Sequence, residues 1–200
     1  MWEWADILGD SIKLYALMTP PAVLSAFITH TKTEPEARKR AIALKTSTAI
    51  FLLGITLYLW GASIFELFGF TLDAFRIGSG VLLMLNAISL MGENEPDERL
   101  KMEGDISVVP LAIPLGMGPA SIGAVMVMGA SADTPEKTIC GGVSLFIAAC
   151  GIYALLRMAN IVGHALHATG LAILAKLTGL ILAAIAAQVI FTGIAGFLKL

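Results

Sequence analysis

Charge is what this 200-residue sequence has least of: Asp, Glu, Lys and Arg together make up 14%, against about 25% in an ordinary soluble domain. With 57% hydrophobic residues and mean hydropathy +0.84, a soluble fold of this size could not hide its apolar surface, whereas lipid can face it directly. A basic field is missing too, since 13 Lys and Arg stand against 15 Asp and Glu; no nucleic-acid partner is expected. Cysteine is scarce. Cys140 and Cys150 fall in one expected helix, roughly 15 Å apart, beyond disulfide reach, and read as small packing residues. His164 and His167 have no carboxylate or thiol nearby in sequence, so no metal is expected, nor any other cofactor. The chain contains no His-Glu-x-x-His, Gly-x-Ser-x-Gly or phosphate loop, which argues against an enzyme. The opening MWEWADILGD lacks a basic leader and a cleavage site, and reads as the approach to a retained first span.

What is present is a series of apolar stretches near the ~20 residues a helix needs to cross a bilayer. They fall at about 8–29, 43–65, 69–91, 106–129, 138–158 and 170–198. The expectation is an all-α, multi-pass protein with six transmembrane helices in a single membrane domain, 1–200. Its connections (30–40, the GF turn at 69–70, 92–105, 131–137 and 157–169) are too short for an extramembrane domain. Lys32, Arg38, Lys39, Arg40, Lys45, Arg99, Lys101 and Arg157 lie on one side, and Lys13, Arg76, Lys137 and Lys199 on the other. That bias makes the 30–45 and 92–105 loops cytoplasmic and puts both termini outside.

Two spans are interrupted. The first carries Thr19-Pro20-Pro21 near its middle; the fourth carries Pro110, Pro114 and Gly116-Met117-Gly118-Pro119. Proline removes a backbone donor and clashes with the preceding turn. Proline also favours the first position of a helix, so Thr19 and Gly118 read as starts of half-helices at bilayer depth. An offset of 100 relates Phe75-Arg76-Ile77-Gly78-Ser79-Gly80 to Ala175-Lys176-Leu177-Thr178-Gly179-Leu180, and nearly the same offset relates the two breaks. Two repeats follow, about 8–91 and 106–198, each of three spans with broken helices 1 and 4 leading. An odd number of spans per repeat inverts one half relative to the other, a construction that places a site at the paired breaks.

The residues resemble the MarC family. FGFTLDAFRIGSGVLLMLNAISLM is similar to its "FGI…FRIAGGILL…A…M", VVPLAIPLGMGPASI to its "VVPLAIPLLAGPGAI", and LAKLTGLILAAIAAQVIFTGI to its closing "…R.MGLILAAIAVQFI..GI". The resemblance covers nearly the whole chain in order. It implies a six-span protein of a prokaryotic cytoplasmic (inner) membrane, in a family with some members described as transporters of small neutral amino acids. Departures fall at the two breaks and in the third span. The family's Asp/Asn-Pro-x-Gly is here Thr19-Pro20-Pro21-Ala22, its Gly-Pro-Gly-Ala/Thr is Gly118-Pro119-Ala120-Ser121, and its Arg-Ile-Ala-Gly-Gly is Arg76-Ile77-Gly78-Ser79-Gly80.

The expected substrate site is therefore Thr19, Pro20, Pro21, Ala22 and Ser25 opposite Gly118, Pro119, Ala120 and Ser121. Two helix N-termini there would offer free N–H groups to a carboxylate. Arg76, Ser79, Asn86, Lys176 and Gln188 are candidates for gating or the pathway. Only fifteen uncharged residues, Ile77–Met91, follow Arg76, so its charge lies below the interface and calls for Asp73, three residues earlier, as a partner. Lys176 has room to snorkel. Asn86 and Gln188 could equally hydrogen-bond between helices. The functional expectation is a secondary transporter of glycine- or alanine-like substrates with Na+ or proton coupling open. Its alternatives are a passive channel, facilitator or exporter, and a non-transporting membrane subunit. Beyond substrate and lipid, a homo-oligomer is the remaining partner to consider.

Overall fold

The computed structural model describes residues 4–69, 71–92, 106–108 and 111–198, and every regular element among them is helical. In order these are α1 (Trp4–Leu17), α2 (Pro20–His30), α3 (Glu36–Phe68), α4 (Leu72–Met91), a wide π turn (Leu111–Gly116), α5 (Pro119–Ala130), α6 (Pro135–Arg157) and α7 (Ala159–Leu198). Four stretches are long and apolar enough to cross a membrane: Glu36–Gly61 in α3, α4, α6 and Ala172–Leu198 in α7. α1 and α2 together make a fifth, bent by 50° where Pro20 and Pro21 interrupt it.

The expected fourth span over 106–129 is not one helix. Ile113 is extended inside the π turn (φ −130°, ψ 125°), and Gly118 is extended ahead of Pro119. That leaves α5 with 12 residues, about 18 Å of a core about 30 Å thick. That interruption is the one its prolines call for; the expected connection at 157–169, by contrast, differs: α7 begins at Ala159 and runs for 40 residues, so Met158 alone separates it from α6. That segment carries no proline to stop the helix, and its one glycine, Gly163, weakens it without ending it. The 92–105 loop, beyond Gly92, lies outside the described residues, as do Pro110 and the side chains of His164 and His167.

Local chemistry sets the other boundaries. α3 closes at Gly69, whose left-handed φ of 69° lets its N–H reach the carbonyls of Phe65 and Glu66. The Thr71 side chain caps α4 by accepting from the Ala74 N–H, and Thr134 caps α6 by accepting from Lys137. Outside the spans, a hydrogen bond from Lys137 holds the Asp133 carboxyl below its usual range.

α3 and α6 cross antiparallel at the centre, with Gly54 against Leu145 and Gly142 against Ile55. The Tyr58 hydroxyl donates to the Lys137 carbonyl at 3.2 Å. α1 runs along α6, where Ser144 Oγ donates to the Ile7 carbonyl at 3.2 Å. The stretch before the second break runs along α3 in the same way, with Thr46 Oγ1 donating to the Ser107 carbonyl at 2.9 Å. The polar residues buried in this interior are serines and threonines; among the described residues no charged side chain is fully buried. Large apolar side chains such as Leu67, Phe68 and Phe191 are exposed outward, as lipid contact allows.

α4 and α7 form a second antiparallel pair at the edge. Gly80 faces Ile190 and the Ala186 carbonyl, Gly179 faces the Ala87 carbonyl, and Gly193 faces the Asp73 carbonyl. Close approach through small residues is how helices associate where lipid removes the hydrophobic drive. A Cβ at Gly193 would stand 2.8 Å from the Asp73 carbonyl oxygen, whereas one at Gly78 would meet nothing within 4 Å. Gly193→Ala is therefore expected to lower unfolding stability by about 1–3 kcal/mol, and Gly78→Ala to leave it unchanged or raise it by up to about 1 kcal/mol. Thermal unfolding in detergent compares the two; equal effects would show that the helices do not pack through these glycines.

Candidate site at the paired helix breaks

Each proline break leaves a carbonyl without its helical partner. In an unbroken helix the Leu17 carbonyl would accept from residue 21 and the Leu115 carbonyl from residue 119, but both positions are proline. An unmet carbonyl in hydrocarbon is costly. The two breaks solve this for one another. Ser121 Oγ donates to the Leu17 carbonyl at 2.6 Å, and Thr19 Oγ1 donates to the Leu115 carbonyl at 2.9 Å. Both hydroxyl residues are buried, at 3% and 4% exposure. Met18 and Met117, the residues just ahead of Thr19 and Gly118, are fully buried beside them.

Thr19 holds an unusual backbone. Its φ of 45° and ψ of 59° are left-handed, and it is the non-glycine residue with positive φ among those described. The following proline disfavours the right-handed helix for it, and its branched side chain makes the left-handed region strained by about 1–3 kcal/mol. The hydrogen bond to Leu115 helps fix this geometry.

The two N-termini are not equivalent. The expectation of free N–H groups at both fails for α2: Pro20 and Pro21 have none, and the Ala22 and Val23 N–H groups donate to the Thr19 carbonyl at 3.0 and 3.2 Å. At α5 the Ile122 N–H returns to the Gly118 carbonyl at 2.9 Å, while the Gly118 and Ser121 N–H groups meet no acceptor among the described residues. Donors for an anion therefore sit on the α5 side.

Of the expected site residues, Thr19, Pro20, Pro21, Gly118 and Ser121 come together at the breaks. Ala22 and Ser25 lie half-buried on α2, and the Ser25 carbonyl accepts from Thr29 Oγ1 at 2.9 Å. The side chains of Pro119 and Ala120 lie outside the described residues. Ser79 is buried against Gly123, one half-turn beyond Ser121 on α5. Arg76 pairs with Asp73 as its position required, at 2.8 Å. It also donates to Ser131 Oγ at 3.1 Å, tying α4 to the far end of α5. Gly193 and Gly196 of α7 cover this pair. Asn86 is half-buried in α4, and Lys176 and Gln188 are exposed on α7, away from the breaks. What sequence reasoning missed is the pair of orphaned carbonyls, Leu17 and Leu115; counting back four residues from Pro21 and Pro119 finds them.

Residues 4–198 match the profile described as MarC family integral membrane protein. The chain belongs to the MarC family. Among relatives of this MarC protein, the UPF0056 membrane protein YhcE of Escherichia coli is 32% identical over 92% of this chain and 90% of its own length. The UPF0056 membrane protein MJ1677 of Methanocaldococcus jannaschii is 34% identical over 92% of this chain and 94% of its own. A UPF0056 membrane protein of Aquifex aeolicus is 29% identical over 94% and 92%. No solved structure matches. Family membership and the apolar helices together make this a multi-pass integral membrane protein.

Removing either crossing hydroxyl leaves a buried carbonyl unmet. Ser121→Ala and Thr19→Val are each expected to cost about 1–3 kcal/mol of stability, and Thr19→Ser, which keeps the donor, less than half of that. Unfolding midpoints in detergent that are the same for all three would rule out the crossed bonds.

Proposed function

We propose that this protein is a secondary transporter of small neutral amino acids, working by alternating access between two inverted three-helix halves with substrate held at the breaks. In this reading the π turn and α5 form a broken sixth crossing, the halves cover about 8–91 and 106–198, and the cytoplasmic membrane holds the protein with both termini outside. The observation that carries the proposal is the crossed pair of hydrogen bonds, Ser121 to Leu17 and Thr19 to Leu115. The donor and acceptor positions of the two bonds correspond at offsets close to 100. The Ser144–Ile7 and Thr46–Ser107 bonds correspond in the same way, which supports the repeat well beyond the breaks.

The chemistry suits a zwitterion. Separating the halves would expose two carbonyls and two hydroxyls together. An ammonium group can donate to the Leu17 and Leu115 carbonyls while a carboxylate accepts from Thr19, Ser121 and the free N–H groups of α5. Asp73 is engaged by Arg76, which leaves backbone carbonyls at the breaks as the means of binding Na+. The Arg76–Asp73–Ser131 contact is placed to act as a gate between α4 and α5. A facilitator is the second reading, favoured because Asp10 and Asp73 are held by Lys13 and Arg76, while Asp6, Glu66 and Glu136 lie near helix ends.

Uptake of labelled glycine or alanine into proteoliposomes separates these readings. Accumulation driven by a Na+ or proton gradient is expected; equilibration alone would indicate a facilitator, and no flux a non-transporting subunit. Ser121→Leu should abolish uptake at normal expression, with Thr19→Ser within a few-fold of the unaltered protein. Undiminished uptake by Ser121→Leu would overturn the site.

A further inference from the structure

α7 has two faces of opposite character. One carries Gly179, Leu182, Ala186 and Gly193 and packs on α4. At about 100° per residue, the opposite face carries Leu177, Ile181, Ala184, Gln188, Phe191 and Ala195. These positions alternate in steps of four and three, the heptad spacing of a helix that winds around another. Leu177, Ile181 and Phe191 are 52%, 55% and 71% exposed. Gln188 is exposed as well, three residues from the middle of Ala172–Leu198, or about 5 Å along the axis.

Lipid tails can satisfy the leucine, isoleucine and phenylalanine of this face but not the carboxamide. The Gln188 main-chain carbonyl accepts from Thr192 Oγ1 at 2.8 Å, and no described residue bonds the side chain. We propose that this face is the contact between two copies of the chain in a twofold dimer, with the two Gln188 carboxamides bonded to one another. A carboxamide is both donor and acceptor, so two of them at equal depth complete each other with two hydrogen bonds. A twofold axis along the membrane normal puts equal positions at equal depth and runs both α7 helices in the same direction, as copies inserted alike must be. Ala184, one turn before Gln188, lets the backbones approach. A single polar residue within a heptad face also fixes register and the number of strands.

The test is cysteine cross-linking in native membranes, after Cys140 and Cys150 are changed to alanine. Ile181→Cys, Ala184→Cys and Gln188→Cys, each as the single cysteine, are expected to give disulfide-linked dimers, and Leu82→Cys on the exposed face of α4 none. In detergent, Gln188→Leu is expected to weaken the dimer roughly tenfold by light scattering across a dilution series, with the unfolding midpoint of the monomer unchanged. Cross-linking without the heptad period would overturn the proposal. So would a Gln188→Cys variant that does not cross-link and reacts quickly with a membrane-impermeant maleimide, since that face would then line water.

Discussion

A carbonyl whose helical donor has been replaced by proline cannot be left bare in hydrocarbon, and most of this structure follows from two such carbonyls that find no donor on their own stretch. Leu17 and Leu115 are each followed four residues later by proline, so neither interrupted stretch can be completed within itself. Each needs a hydroxyl, and the hydroxyls that reach them come from the other break. The first and second halves of the chain are therefore obliged to meet at their breaks. α3 and α6 cross behind that meeting point, and Ser144 and Thr46 repeat the same device, hydroxyl to carbonyl across the halves, toward the ends of the broken stretches.

Much of this was legible in the residues because it depends on neighbours in sequence. Proline after Thr19 and Gly118 dictated new helix starts, and both helices begin there. Gly69 marked the α3 end, and the depth of Arg76 called for Asp73 one turn away. What was not legible depends on distant partners or on the absence of a stop. That the Ser121 and Thr19 hydroxyls are already committed as donors could be suspected from the prolines but not assigned to a partner. The asymmetry of the N-termini follows from Pro21, which adds a second missing donor at α2 where α5 has Ala120. α7 overran its expected start because nothing between 159 and 170 breaks a helix, and apolar length alone does not mark where a helix leaves the membrane.

The α4–α7 pair obeys a different rule from the centre. It holds few polar contacts and approaches instead through Gly80, Gly179 and Gly193, an arrangement in which dispersion between close backbones replaces hydrogen bonding. At its outer end the Asp73–Arg76 pair is laid under Gly193 and Gly196, where side chains of any size would displace it. The same glycines that allow close packing thus make room for a charge pair below the interface, and the pair in turn reaches Ser131 at the end of α5. A movement of α5 cannot leave α4 unaffected, nor α7 through it.

The strength of the crossed bonds matters as much as their position. A neutral hydrogen bond contributes about 0.5–1.5 kcal/mol net when both partners can be re-solvated, but an unmet buried group costs about 1–3 kcal/mol. Two such bonds hold the halves firmly while the breaks are dry and weakly once a polar group enters. A lone apolar solute offers nothing to the freed carbonyls and would leave them unmet. A zwitterion offers charge-assisted bonds to both carbonyls and hydroxyls, each about twice as strong as the neutral bond it replaces. Water offers neutral bonds of the kind being broken and gains little. On the proposed reading the breaks are closed by bonds that an occupant would improve upon, and exchange of the Thr19–Leu115 bond would let the strained left-handed Thr19 relax. On the proposed transport reading, substrate entry and loosening of the halves would be one event, and a locked empty state the default.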